Sequence, residues 1–193
     1  MGINVVVHGV LGRMGQQVLD AVTVDPALTP VGGADGFASE ATVALPDGSG
    51  HVPLSKSLQD VLADANVVVD FSSAEGAVSV IRTATSNGVN VVVGTTGLSD
   101  ANIQEAEKLA DDNNVGVIIA PNFAVGAVLM IHLAKIASPF FDYVDLLEMH
   151  HEAKIDSPSG TALAIAKPAV EGKGGSFVSP KSEAELVEGA RGA

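Results

Sequence analysis

The 193-residue sequence contains no cysteine, which excludes disulfides, thiolate nucleophiles and thiolate metal sites. Basic residues are scarce: 10 Lys and Arg stand against 23 Asp and Glu, a formal charge of -13. Such a field repels a phosphate backbone and an anionic bilayer, so neither nucleic acid nor membrane is an expected partner. No run approaches the ~18 uninterrupted apolar residues of a membrane span, and residues 1–7 lack the basic flank and cleavage site of a signal peptide. A cytoplasmic location is expected. Any anionic ligand has to be held by local groups, against the global charge.

What is present is enough apolar material, 47% of the chain, for one full domain and a smaller second one. Residues 3–7 form a continuous apolar run ending at Gly9, as in a strand buried on both faces of a parallel sheet. Residues 13–24 then carry helical spacing through Met14, Val18, Ala21 and Val22, and stop before Asp25-Pro26. Apolar runs recur at 31–34, 67–71, 89–93 and 115–120. Ser57, Ser73 and Ser99 precede helix-length segments at 58–62, 74–85 and 101–110, and Gly88 stands where a helix-terminating glycine belongs. This alternation predicts an α/β fold, a doubly wound Rossmann-type parallel sheet over residues 1–121. Residues 36–55, rich in Gly, Pro and Ser, are expected to be an irregular excursion. An α+β domain is expected over 122–193, with a mostly buried helix at 125–137, a strand at 143–149, and loop or frayed chain from 172 onward. One strand cannot make a sheet, so that domain is expected to be incomplete.

Gly9, Gly12 and Gly15 follow the first strand and open the first helix, where backbone amides and the helix dipole meet a pyrophosphate. Their spacing is G-x-x-G-x-x-G, whereas the usual dinucleotide fingerprint is G-x-G-x-x-G, and close packing of the turn is the competing reading. Asp35 lies 20 residues beyond Gly15 at the end of an apolar stretch, placed to accept from ribose hydroxyls, although alone it would be a turn former. Its carboxylate would repel a 2′-phosphate, so NADH is expected in preference to NADPH, with Arg13 in the turn leaving NADPH use open. Gly94-Thr95-Thr96-Gly97 and Ala120-Pro121-Asn122-Phe123 close two further strands and are expected to face the same crevice.

The segment from Glu148 to Thr161 combines His150, His151 and Lys154 with a Ser159-Gly160-Thr161 helix start. A titrating acid, a fixed cation and free amides in one loop suit an anionic substrate. Tandem histidines can also ligate metal, but no HExxH helix or cysteine cluster accompanies them, and no metal is expected.

The motifs G-V-L-G-R-M-G at 9–15, V-V-G-T-T-G at 92–97, A-P-N-F-A-V-G at 120–126 and H-H-E-A-K-I-D-S-P-S-G-T-A at 150–162 occur in order. With them the chain resembles the dihydrodipicolinate reductase family over residues 3–166. The resemblance implies a nicotinamide-dependent reductase of diaminopimelate and lysine biosynthesis, acting on a cyclic dicarboxylate, the dehydrated form of 4-hydroxy-tetrahydrodipicolinate. It implies His150 as proton donor and Lys154 as second catalytic group, with His151, Ser159, Gly160 and Thr161 holding substrate. It implies that Gly9, Gly12, Arg13, Met14, Gly15 and Asp35 hold the cofactor, assisted by Gly94, Thr95, Thr96, Ala120, Pro121, Asn122 and Phe123. Family members continue beyond residues 189–193, so the chain is expected to lack part of the substrate domain. The alternative is a nucleotide-binding paralogue without turnover, or a shortened subunit working with a complete homologue. A homo-oligomer is a further expectation of the resemblance.

Overall fold

In strand β1 (Ile3–His8) successive side chains point to opposite faces of the sheet. Val5 and Val7 enter one core cluster with Leu19 and Val22 of helix α1 (Arg13–Val24), while Val6 enters a second cluster on the other face. A strand buried on both faces needs apolar residues at every position, which is why the run is continuous. The computed structural model describes residues 2–120, 122–152 and 157–178. The chain forms two compact units, 1–121 and 122–193.

The first unit continues through β2 (Leu28–Ala34), β3 (Thr42–Ala44), β4 (His51–Ser55), a 3-10 turn (Leu58–Val61), β5 (Val67–Asp70), α2 (Ala74–Ser86), β6 (Asn90–Val93), α3 (Asp100–Asn113) and β7 (Val117–Ile119). The sheet order is β3-β4-β2-β1-β5-β6-β7, parallel throughout except for the antiparallel β3 and β4 pair. The doubly wound expectation holds. The chain leaves β1 toward β2 on one side and returns to β5 on the other, so the topological switch lies between β1 and β5. Ligands in such sheets lie beyond the carboxyl ends of the strands at that switch.

Local signals placed the helices. The Ser73 side chain caps α2 by accepting from the Gly76 amide, and Ser99 caps α3 in a reciprocal box with Asn102. Gly88, with φ of 73°, follows the Asn87 cap and lets the chain leave α2. The segment after Ser57 is only a 3-10 turn, and Ser57 makes no side-chain cap.

Residues 36–55 are irregular only at 36–41 and 45–50. The rest forms β3 and β4, joined by a turn in which Asp47 accepts from the Ser49 amide and Gly48 has φ of 75°. Val52 and Leu54 are buried while His51 and Pro53 are exposed, the alternation of a half-buried strand.

The second unit is built on α4 (Val125–Ala137) and α5 (Gly160–Lys173), which pack against each other. A Cβ on Gly172 would overlap the Lys135 carbonyl, so glycine permits the close approach. Two expectations are corrected here. Helix α4 is not buried: Val125 is 81% exposed, and Val128, Leu129, Met130, Leu133 and Ile136 are each at least half exposed. A helix apolar all round needs partners on every side, and α5 covers one. Residues 143–149 do not form a strand, because no second strand is present among the described residues of this unit to supply a ladder. Helix α5 runs to Lys173 and ends at Gly174 in the left-handed conformation, and the remainder of the expected loop from residue 179 onward lies outside the described residues. No helix among the described residues is long and apolar enough to cross a membrane.

Candidate functional site

The carboxyl ends of β1, β2 and β5 enclose a cleft of about 640 Å³ in the first unit. Gly9 leaves β1 with φ of 74° and no room for a side chain, since a Cβ there would sit 2.6 Å from the Phe71 carbonyl oxygen. Gly15 is buried, and its Cβ would overlap the Gly9 carbonyl. The outer two glycines are therefore packing residues. Gly12 is the N-cap of α1 and makes no side-chain cap, so the first amides of that helix remain open to an acceptor from the cleft. This is the backbone geometry that a pyrophosphate requires.

Gly9, Gly12 and Asp35 all line the cleft. Asp35 is 7% exposed. Its Oδ2 accepts from the Leu11 amide and its Oδ1 from the Phe37 amide, both at 3.0 Å. The carboxylate thus ties the glycine turn to the end of β2, a duty absent from the sequence reading. Arg13, Met14, Gly15, Gly94, Thr95, Thr96 and Ala120 are not among the lining residues. Arg13 and Met14 are exposed on the opening turn of α1, and Thr96 is exposed. Thr95 is buried and donates to Asp70 Oδ2 at 2.6 Å. A Cβ on Gly94 would overlap the Phe71 ring. Ala120 is half-buried and donates to the Val93 carbonyl. Pro121 lies outside the described residues. Asn122 and Phe123 open the second unit, where Asn122 Oδ1 accepts from the Ala124 amide and Phe123 is 52% exposed.

The cleft also contains residues that the motif pattern passed over, namely His8, Lys56, Phe71, Ser72 and Ser73. A signal for part of this set existed, because His8 and Asp70 close two valine-rich strands with a polar residue. A polar side chain at the carboxyl end of a buried parallel strand faces the ligand edge of the sheet. Lys56, just past β4, was hidden by the reading of that region as irregular.

In the second unit Glu148 joins the histidine loop to the start of α5. Its Oε2 accepts from His150 Nε2 at 2.9 Å and its Oε1 from the Ser159 amide at 2.9 Å. Ser159 is 5% exposed, and its hydroxyl accepts from the Ala162 amide as the N-cap. Ser159 is thereby engaged within the protein, whereas Gly160 and Thr161 are exposed on the first turn. His150 and His151 are exposed. Lys154 lies outside the described residues. With Nε2–H donated to Glu148, the other ring nitrogen of His150, Nδ1, is the one able to pass a proton outward.

Hydrogen bonding with the Ser159 side chain, then with His150 and then with the Ser159 backbone, holds the Glu148 carboxyl down from 4.5 to about 2. A depressed carboxyl stabilises the fold above its unfolded value, and the contribution is lost as pH falls through the folded value. The loop contacts through Glu148 should therefore persist between 4.5 and about 2. Carbon-13 NMR of the Glu148 carboxyl is expected to titrate in the lower part of that window; an ordinary glutamate midpoint would contradict the contact.

Comparison with known proteins matches both units. Residues 3–123 match the family model described as dihydrodipicolinate reductase, N-terminus, and residues 126–191 match dihydrodipicolinate reductase, C-terminus. The 4-hydroxy-tetrahydrodipicolinate reductase of Dehalococcoides mccartyi is 45% identical over 183 residues, covering 94% of this chain and 70% of the relative. That of Thermosynechococcus vestitus is 41% identical over 200 residues, covering 99% and 72%. Among solved structures, the dipicolinate-bound dihydrodipicolinate reductase from Paenisporosarcina sp. TG-14 superposes with a TM-score of 0.81 at 33% identity, covering all of this chain and 75% of that one.

Proposed function

The chain belongs to the dihydrodipicolinate reductase family, and from that premise we propose that it is the 4-hydroxy-tetrahydrodipicolinate reductase of diaminopimelate and lysine biosynthesis. Residues 1–121 hold the nicotinamide dinucleotide and 122–193 hold the substrate, a small cyclic dicarboxylate. The observation that carries this reading is the chain of contacts from His150 through Glu148 to the Ser159 amide, which fixes an acid beside the open first turn of a helix.

A dinucleotide held in the first unit would supply hydride to the ring of the dehydrated substrate. The part of the chain itself is to place an acid, the His150 imidazolium, where it can protonate the negative charge that such a reduction would leave on the conjugated system. Glu148 fixes the His150 ring by holding Nε2, leaving Nδ1 to deliver the proton. The exposed amides of Gly160 and Thr161 bind a substrate carboxylate, with His151 also holding substrate and Lys154 as the second catalytic group. Ser159 positions Glu148 and caps α5. In the first unit Gly12, with Arg13 and Met14 after it, presents the pyrophosphate site, and Gly9, Gly15 and Asp35 shape it. Gly94, Thr95, Thr96 and residues 120–123 complete the cofactor surroundings.

NADH is the preferred cofactor in this proposal because the Asp35 carboxylate disfavours a 2′-phosphate. Lys56 lines the same cleft and offsets part of that repulsion, so NADPH is also used. Lys56→Ala is expected to lower kcat/KM for NADPH several-fold more than for NADH, the scale of one exposed charge pair with phosphate. Equal losses with both cofactors in steady-state kinetics would remove Lys56 from that role.

The function itself is tested by adding freshly generated substrate from the preceding pathway enzyme to the protein and NADH. Oxidation of NADH with formation of tetrahydrodipicolinate is expected; binding of NADH without oxidation would select a nucleotide-binding protein without turnover, for which no observation speaks separately. The proposal includes a cytoplasmic location and a homo-oligomer, supported by the exposed apolar side chains of α4, which self-association would cover. Sedimentation showing only monomer would remove the oligomer.

A further inference from the structure

His8 and Asp70 are register partners at the carboxyl ends of β1 and β5, the two strands that flank the topological switch. Asp70 is fully buried. His8 Nδ1 lies 2.6 Å from Asp70 Oδ1, Ser72 Oγ donates to the same oxygen at 2.7 Å, and Thr95 Oγ1 donates to Oδ2 at 2.6 Å. Thr95 Oγ1 accepts from the Ser72 amide, so its own hydrogen is committed to Asp70. Ser72 and Thr95 both donate to this carboxylate, and an ionised carboxylate can only accept, so the 2.6 Å contact takes its hydrogen from Nδ1 of His8. In the neutral ring Nε2 is then the nitrogen without hydrogen.

The His8 side chain is 16% exposed, and His8 lines the cleft beside Gly9 and Gly12. Neutral Nε2 offers a lone pair, which repels an acceptor-only phosphate oxygen; protonated Nε2 offers a charged donor. We propose that His8 is a dinucleotide-binding residue whose Nε2–H donates to the cofactor pyrophosphate while the buried Asp70 holds Nδ1, so that cofactor binding takes up a proton at His8. The charged groups placed with this ring are Asp70 on β5, which contacts it, and Asp35 past β2 and Lys56 past β4, which line the same cleft. Asp70 alone of these has a described contact with His8. In a chain of charge -13, His8 and Lys56 are the cationic candidates among the described lining residues, and His8 is the one adjacent to the glycine turn.

This inference rests on the cleft being a dinucleotide site, and the test separates the two. NADH, and adenosine as a probe without phosphate, are titrated against wild-type protein and His8→Gln, without substrate, from about pH 6 to about pH 9, bracketing the ordinary histidine range. The wild-type dissociation constant for NADH is expected to rise about tenfold across that range, the scale of one charge-assisted hydrogen bond. In His8→Gln it stays flat, near the wild-type value at high pH, and adenosine shows no such dependence. A pH-independent wild-type constant overturns the role of His8 while leaving the cleft a dinucleotide site; failure of NADH to bind at any pH overturns the site itself. Proton NMR of His8 in wild-type protein decides without any variant: its titration midpoint moves up on adding NADH, and an unmoved midpoint refutes proton uptake there.

Discussion

Replacing His150 with glutamine is expected to lower kcat by about 10² or more, the loss associated with removing a general acid, with a modest change in KM. Glutamine can still donate to Glu148, whose Oε2 now lies 2.9 Å from His150 Nε2, so the loop and the start of α5 keep their connection. What the variant cannot do is release a proton in the transition state. Because the effect belongs to the transition state, NADH affinity survives, and the decline of turnover on the alkaline side that a general acid imparts is lost with it. A variant with undiminished kcat would remove His150 from the chemistry.

The second large effect is at the glycine turn. Gly9→Ala places a methyl group 2.6 Å from the Phe71 carbonyl oxygen at a backbone φ of 74°. A left-handed conformation costs a non-glycine residue about 1–2 kcal/mol, and overpacking a rigid neighbour adds about 1–3 kcal/mol. Together these destabilise the first unit by roughly 2–5 kcal/mol, a fall in Tm on the order of 10 °C. NADH affinity should fall with it, since the turn cannot relax without moving Gly12 and the open start of α1. Gly126→Ala is the control: no heavy atom lies within 4 Å of its added methyl group, so thermal melting should show little change or a slight gain in helix stability. Equal melting of Gly9→Ala and wild type would contradict the packing role.

The strand, turn and helix that begin the chain were legible because three local signals coincide there: a continuous apolar run, glycines at the turn, and helical spacing after Arg13. The capping roles of Ser73 and Ser99 were legible for the same kind of reason, since a cap is settled within four residues. Strands β3 and β4 were missed because Gly, Pro and Ser dominate their neighbourhood, although the alternation around Val52 and Leu54 marked one of them. The exposure of α4 was illegible, since apolar sequence states what a helix would bury and not what is present to cover it. Residues 143–149 failed as a strand for the complementary reason, since the described residues of that unit include no second strand to pair with.

The site divides along the same line. Gly9, Gly12 and Asp35 stand in motifs and line the cleft, and His150 stands in a motif and contacts Glu148. Lys56 lies outside the motifs, Glu148 shows its contacts only in the folded loop, and the separation of 62 positions between His8 and Asp70 leaves no local pattern. Asp35 shows the limit of a motif even when found, because its two amide contacts come from Leu11 and Phe37, and only the folded turn brings the first of these to it.

The most direct test of hydride transfer by this chain is a mass measurement on the product formed with NADH deuterated at the transferable position. Deuterium in tetrahydrodipicolinate, produced by wild-type protein and strongly slowed in His150→Gln, is the expected result. Saturating NADH binding with no deuterium transferred to substrate would contradict it.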